Sequence, residues 1–232
     1  MSPTWRQKLQ ELATGNSQFA QFSKPIINSQ KTILGVRTPD LRKLAKDLAR
    51  PLDFAGVQSF AESIQPEIFE EVLLLGFIIN YAKLSDLERI QLTKQYLKLV
   101  DSWAQIDLVV ATRPKINSPL WWDFALKCLN SKAEFTVRFG VIFLMTHFLT
   151  DQSIDQTFAA LRQVRHDGYY VKMALAWLYA TAAVKYFGPT LQEIARPTLP
   201  NWTRQKSLQK MLESRRFSEA QKQQIRALKT TK

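Results

Sequence analysis

A single cysteine, Cys128, stands among 232 residues, so no internal disulfide framework and no cysteine-rich metal site can be built. The two histidines, His147 and His166, lie on different segments without obvious partners. A catalytic triad or a histidine-based metal cluster therefore has no support. Glycine is scarce, with seven in total, and no glycine-rich phosphate loop occurs. Few glycines also means few tight hairpins, which argues against an all-β fold. No run of eighteen apolar residues is present, so no membrane span is expected. The start, Met1-Ser2-Pro3-Thr4-Trp5-Arg6, lacks the apolar core of a secretory signal, and a cytoplasmic location fits. Neither metal nor cofactor is expected.

What is abundant points to helices. Hydrophobic residues make up 46%, enough for a sizeable core, and Leu, Ala, Lys, Gln and Glu all favour helix. Start signals recur along the chain. Thr38-Pro39-Asp40 offers a capping hydroxyl, an early proline and an acid, and predicts a helix to about Ala49. Asp53 caps a short helix to about Ser63, and Ser85-Asp86-Leu87-Glu88 is a capping box opening a helix to about Val100. Ser118-Pro119 opens another, Asn201 caps a basic helix to about Arg215, and Ser218-Glu219-Ala220-Gln221 is a second capping box. Pro3 to Ala13 reads as a short amphipathic helix, and residues 15–32 as a loop or broken helix. Apolar helices over 68–82, 134–148 and 169–186 alternate with more polar ones over 85–99, 153–165 and 202–215. That alternation predicts an all-α superhelical array, a solenoid of antiparallel helix pairs, rather than a compact irregular bundle. No Gly-, Ser- or Pro-rich linker divides the chain, so residues 1–232 read as a single domain.

Charge is lopsided. Thirty-two Lys and Arg against twenty Asp and Glu leave a net of +12, which implies a polyanionic partner. From Arg196 onward ten Lys or Arg face only Glu213 and Glu219. Arg204, Lys206 and Lys210 ride on one predicted helix there, and a phosphate-contacting face explains them better than a solvated surface laced with ion pairs.

One constellation joins an aromatic ring to a carboxylate. Trp103 and Asp107 are four residues apart, hence on one face of a helix and a turn apart. Taken alone that spacing means little. Two further segments add to it. Glu134 to Phe143 places a lone arginine, Arg138, in an apolar helix, and such an arginine must reach solvent or a partner. Gly168 to Trp177 ends in a tryptophan beyond small residues that let a neighbour approach closely.

Four segments in order, Leu34-Gly35-Val36-Arg37-Thr38-Pro39, Ser102-Trp103 through Asp107, Val137-Arg138-Phe139 and Lys172 through Trp177, resemble the AlkD-like DNA glycosylases, a family of DNA alkylation repair enzymes. The resemblance runs over nearly the whole chain and implies a superhelix of HEAT-like repeats. It implies removal of cationic N3- and N7-alkylated purines from duplex DNA, without flipping the damaged base into a pocket. By that resemblance Trp103 and Trp177 match the cleft tryptophans, Asp107 the catalytic aspartate and Arg138 a cleft arginine near the DNA backbone. Thr38 and Arg42 match a phosphate-contacting helix start. Lys172, Arg204, Lys206 and Lys210 complete the expected DNA-binding set. The chain departs from the family at Ser102 and Ala104-Gln105, where a tryptophan pair and an acid are the pattern, and the segment Gly15 to Ile33 is shorter and poorer in basic residues.

The chemistry is coherent. A cationic purine is already a good leaving group, and cleaving its glycosidic bond leaves oxocarbenium character that a carboxylate stabilises. Indole faces favour the cationic base. The expected partner is alkylated double-stranded DNA, bound by a monomer with no membrane association. The rival readings are a catalytically inactive nucleic-acid scaffold of the same fold and a protein-interaction array.

Overall fold

A computed structural model describes residues 4–112, 116 and 118–230. Fourteen helices account for nearly all regular structure among them, and the sole pairing of β type is an isolated parallel bridge between Thr32 and Ile68. The fold class is therefore the expected one, all-α. The chain forms two compact units, residues 1–114 and 115–232.

The first unit runs α1 (Trp5–Ala13), α2 (Ser17–Ile27), α3 (Thr38–Ala49), α4 (Phe54–Ser63), α5 (Phe69–Tyr81), α6 (Asp86–Leu97) and α7 (Trp103–Ala111). Helix α5 is its centre: every residue from Phe69 to Ile79 is buried, and α5 packs on α3, α4, α6 and α7. Gly76 makes this closeness possible, because a Cβ there would lie 2.5 Å from Val109 of α7 and 2.8 Å from the Tyr96 ring of α6. The Tyr96 hydroxyl donates to the Gln105 carbonyl at 2.8 Å in a fully buried setting. Helix α1 is pinned by Arg6, whose guanidinium donates to both oxygens of buried Glu71 and to the Ser63 carbonyl.

The second unit runs α8 (Pro119–Leu129), α9 (Glu134–His147), α10 (Ile154–Leu161), α11 (Tyr169–Ala182), α12 (Phe187–Ala195), α13 (Asn201–Glu213) and α14 (Glu219–Thr230). Helix α9 packs on α8 and α11, α11 on α12 and α13, and α13 on α12 and α14. Trp121, fully buried, stacks on Phe143 with ring centres 5.1 Å apart. In each unit odd-numbered helices pack in succession, α3–α5–α7 and α9–α11–α13, with α1, α4 and α6 against the first series and α8, α12 and α14 against the second. This succession is the packing pattern of a helical solenoid.

Local signals hold where they were strong. The Ser85–Glu88 capping box is formed in both directions, Asp53 accepts from the Gly56 N–H, and Ser218 and Gln221 exchange the same pair of bonds. Differences have local causes. Residues 17–27 form a continuous helix, because Pro25 falls in its last turn and Asn28 closes it in the left-handed region. Helix α12 went unforeseen; its Gly188 and Pro189 sit in the first turn, where no N–H is required. Thr38 is already inside α3, and Arg37 holds the cap position without a side-chain bond. Pro3, expected to open the first helix, lies outside the described residues.

Candidate nucleic-acid interface

In the first unit, the start of α7 is tied to the end of α2. Ser102 accepts from the Ala104 N–H, the cap expected of a serine there, and donates to the Ile27 carbonyl at 2.7 Å. The Trp103 indole N–H donates to the next carbonyl back, Ile26, at 3.0 Å. Asp101 accepts from the Ser29 hydroxyl and the Gln30 N–H, clamping the intervening loop. These bonds fix the indole, leaving it partly exposed. Trp103 and Thr38 line one cavity of about 200 Å³ with Phe19, Ile26, Phe69 and Glu70. Asp107 follows one turn along α7 and is also partly exposed.

Glu70 supports this region from beneath. Its carboxylate accepts from the N–H groups of Leu34, Gly35 and Val36 at 2.8–3.3 Å, the loop that leads into α3. Burial pushes the Glu70 carboxyl above the usual carboxylate value, while the backbone donors act against that rise. Gly35 has φ +90°, and a Cβ there would also lie 2.8 Å from the Asn16 carbonyl, so glycine is required twice over. Arg42 sits on α3 with its guanidinium 5.5 Å from the centre of the Phe77 ring, and its Nε is buried without a partner.

In the second unit, Trp177 is 40% exposed, the most open of the expected cleft residues. Arg138 is only 5% exposed, and one N–H donates to the Tyr170 carbonyl at 2.8 Å, so it braces the first turn of α11. Lys172 lies on α11 with its ammonium 5.4 Å above the Trp202 ring. Arg204, Lys206 and Lys210 share α13 and are all partly buried. Arg204 donates to the Arg196 carbonyl and Lys206 to Gln209. More of α13 is engaged within the protein than a freely solvated basic helix would be.

Sequence reasoning missed several groups here. Tyr169 and Trp202, 55% and 39% exposed, meet edge to face at 5.9 Å between ring centres. Glu193 is buried between two arginines: Arg162 donates to both its oxygens at 2.8 and 2.9 Å, and Arg196 approaches at 3.0 Å. Burial alone would raise the Glu193 carboxyl, but these guanidiniums hold it below the usual carboxylate value. A second cavity, of about 410 Å³, adjoins this cluster. Nothing in the spacing of these residues marks them, because they come from three helices and two loops.

An all-α chain with helices packed in succession is a helical array, and its surplus positive charge suits a polyanionic partner. The family is specific: residues 5–211 match the model of the DNA alkylation repair enzymes, and the chain belongs to that family. Its role is therefore in DNA repair, with DNA as its partner. No curated protein and no solved structure matches the chain. No helix among the described residues is long and apolar enough to cross a membrane.

Proposed function

We propose that the protein is a DNA glycosylase that hydrolyses the N-glycosidic bond of cationic N3- and N7-alkylated purines in duplex DNA, without base flipping. It works as a monomer and as one continuous domain, and needs neither metal nor cofactor. The observation that carries this reading is the pair on α7: a partly exposed indole, anchored by its own N–H, with a partly exposed carboxylate one turn on. The family match makes alkylated DNA the substrate to test.

Asp107 faces the positive charge that develops on the sugar as the bond to the base breaks. The base leaves neutral, water adds to the anomeric carbon, and the proton that water gives up passes to the carboxylate or to solvent. Trp103 and Trp177 offer π-faces to the cationic base, each contact worth about 0.5–2 kcal/mol. A general acid is unnecessary because the leaving group is already cationic. Thr38 and Arg42 at the start of α3 are assigned to phosphates, as are Lys172, Arg204, Lys206 and Lys210. Arg138 is assigned to a place near the DNA backbone.

The burial of Arg138 favours a second reading, a DNA-binding member of the family without glycosylase activity, in which this arginine is a structural brace. Ser102 and Ala104-Gln105, where the chain departs from the family pattern, point the same way. The deciding assay incubates the protein with N-methylated duplex DNA and measures free bases by chromatography. Release of 7-methylguanine and 3-methyladenine well above the spontaneous rate supports the glycosylase. Tight binding with release no faster than in buffer leaves the scaffold.

A further inference from the structure

The cavity of about 410 Å³ in the second unit is lined by four cationic side chains, Arg162, Arg165, Lys172 and Arg196, against two carboxylates, Asp167 and Glu193. Glu193 is shared by two guanidiniums, so one of those positive charges is left over, and with Asp167 set against the other two cations the lining keeps a surplus of two. Arg165 donates to the carbonyls of Arg162 and Val164 rather than to a carboxylate. Lys172 rests on the Trp202 ring, a contact that leaves its charge intact. His166 is engaged within the protein: its Nδ1 accepts from the Gly168 N–H at 2.9 Å, and its Nε2 lies 3.1 Å from the Lys132 carbonyl.

Pro200 and Thr203, at the start of α13, line this cavity. The first intrahelical bond of α13 runs from the Arg204 N–H to the Pro200 carbonyl at 3.0 Å, which leaves the N–H groups of Asn201, Trp202 and Thr203 without helical acceptors. The cap residue is Pro200, which supplies no side-chain acceptor, and no cap bond is made. A second feature is independent of the helix end. Thr203 lines the cavity, is 0% exposed, and its hydroxyl has no partner. A buried hydroxyl without a partner costs about 1–3 kcal/mol, a deficit that a bound acceptor removes.

We propose that this cavity is a binding site for a phosphoryl group, seated at the start of α13. The Thr203 N–H and hydroxyl and the guanidinium edge of Arg165 supply the donors, and the surplus positive charge of the lining favours an anion. A tetrahedral phosphoryl group presents up to four oxygens to donors converging from several directions, against two in a carboxylate. The exposed Trp202 and Tyr169 rings flank the site and give a stacking surface to any base attached to that phosphate. The site stands independently of the glycosylase reading, because no step at Asp107 enters the argument.

The test is calorimetric titration of the full chain with inorganic phosphate at fixed ionic strength, with a short unmodified duplex as a second titrant. Thr203→Val keeps the shape and removes the hydroxyl; Arg165→Gln, at an exposed position, guards against a folding defect in the first variant. The expected result is one phosphate site in the wild type, weakened at least about fivefold in each variant. If the phosphate comes from DNA, duplex affinity falls in parallel and inorganic phosphate competes with the duplex. If the ligand is free phosphate or a nucleotide, duplex affinity stays level while phosphate binding falls. Phosphate binding absent from the wild type, or equal in the wild type and both folded variants, overturns the proposal. Asp107→Asn is expected to bind phosphate as the wild type does, so loss of the glycosylase reading leaves this one standing.

Discussion

The two units handle charge in opposite ways. Residues 1–114 carry 14 Lys and Arg against 12 Asp and Glu, and residues 115–232 carry 18 against 8, so ten of the net twelve positive charges lie in the second. The first unit takes carboxylates inside. Glu70 and Glu71, 2% and 1% exposed, are satisfied by backbone N–H groups and by Arg6. The second leaves cations around an open cavity and aromatic rings at the surface. The lesson is that affinity and chemistry are separable by sequence position. The surplus charge that would draw in a polyanion lies mainly in the second unit, and the proposed carboxylate chemistry on α7 of the first.

Substitutions can break or sharpen that contrast. The largest effect is expected inside the second unit, where Trp121→Ala removes a fully buried ring stacked on Phe143 and should cost about 3–5 kcal/mol in chemical denaturation. In the first unit, Gly35→Ala forces a side chain into the left-handed region and against the Asn16 carbonyl, and should cost about 1–3 kcal/mol. If Gly35→Ala is neutral, the Glu70-centred loop is not the rigid support described here. Replacing Arg204, Lys206 and Lys210 together by alanine should weaken duplex binding about tenfold or more at moderate salt. The slope of log affinity against log salt should fall by about one for each side chain that reaches a phosphate. An unchanged slope would place the DNA-binding charge elsewhere.

Smaller effects follow. Trp177→Ala should slow base release by roughly 2- to 30-fold, the rate equivalent of one cation–π contact, with little change in melting temperature because the ring is 40% exposed. Smallest is the acid response of Glu193. Its folded-state value lies below the unfolded one, so its contribution is present above the ordinary carboxylate range and is lost as pH falls through the depressed value. Glu193→Gln should therefore be less stable than the wild type at neutral pH by about 1 kcal/mol or less, given that both arginines are partly exposed. The difference should close as pH drops below about 4. A gap that widens on acidification would contradict the sign.

How far the sequence alone reached depended on whether a signal was local. Capping boxes at Ser85 and Ser218 and the cap at Asp53 involve residues three apart, and they are formed as read. The spacing of Trp103 and Asp107 needed only the helix period, and both lie on α7. Helix α12 was not read from the sequence; its Gly188 and Pro189 are breakers in mid-helix and harmless in a first turn. The lone arginine in the apolar helix was read as a group seeking solvent or a partner. One of its partners is a backbone carbonyl on another helix, which no side-chain pattern encodes. The Thr203 cavity was illegible for the same reason: its walls are brought together by the packing of α11 on α13.

If the α7 carboxylate carries the chemistry, its removal should slow base release while duplex binding is kept. Under single-turnover conditions on duplex DNA bearing 7-methylguanine, wild type and Asp107→Asn are compared for base release and, separately, for duplex affinity. The account predicts release slowed about a hundredfold to a thousandfold in the variant, with affinity changed less than about threefold. Equal release by the two proteins, each measurably faster than buffer, would contradict it.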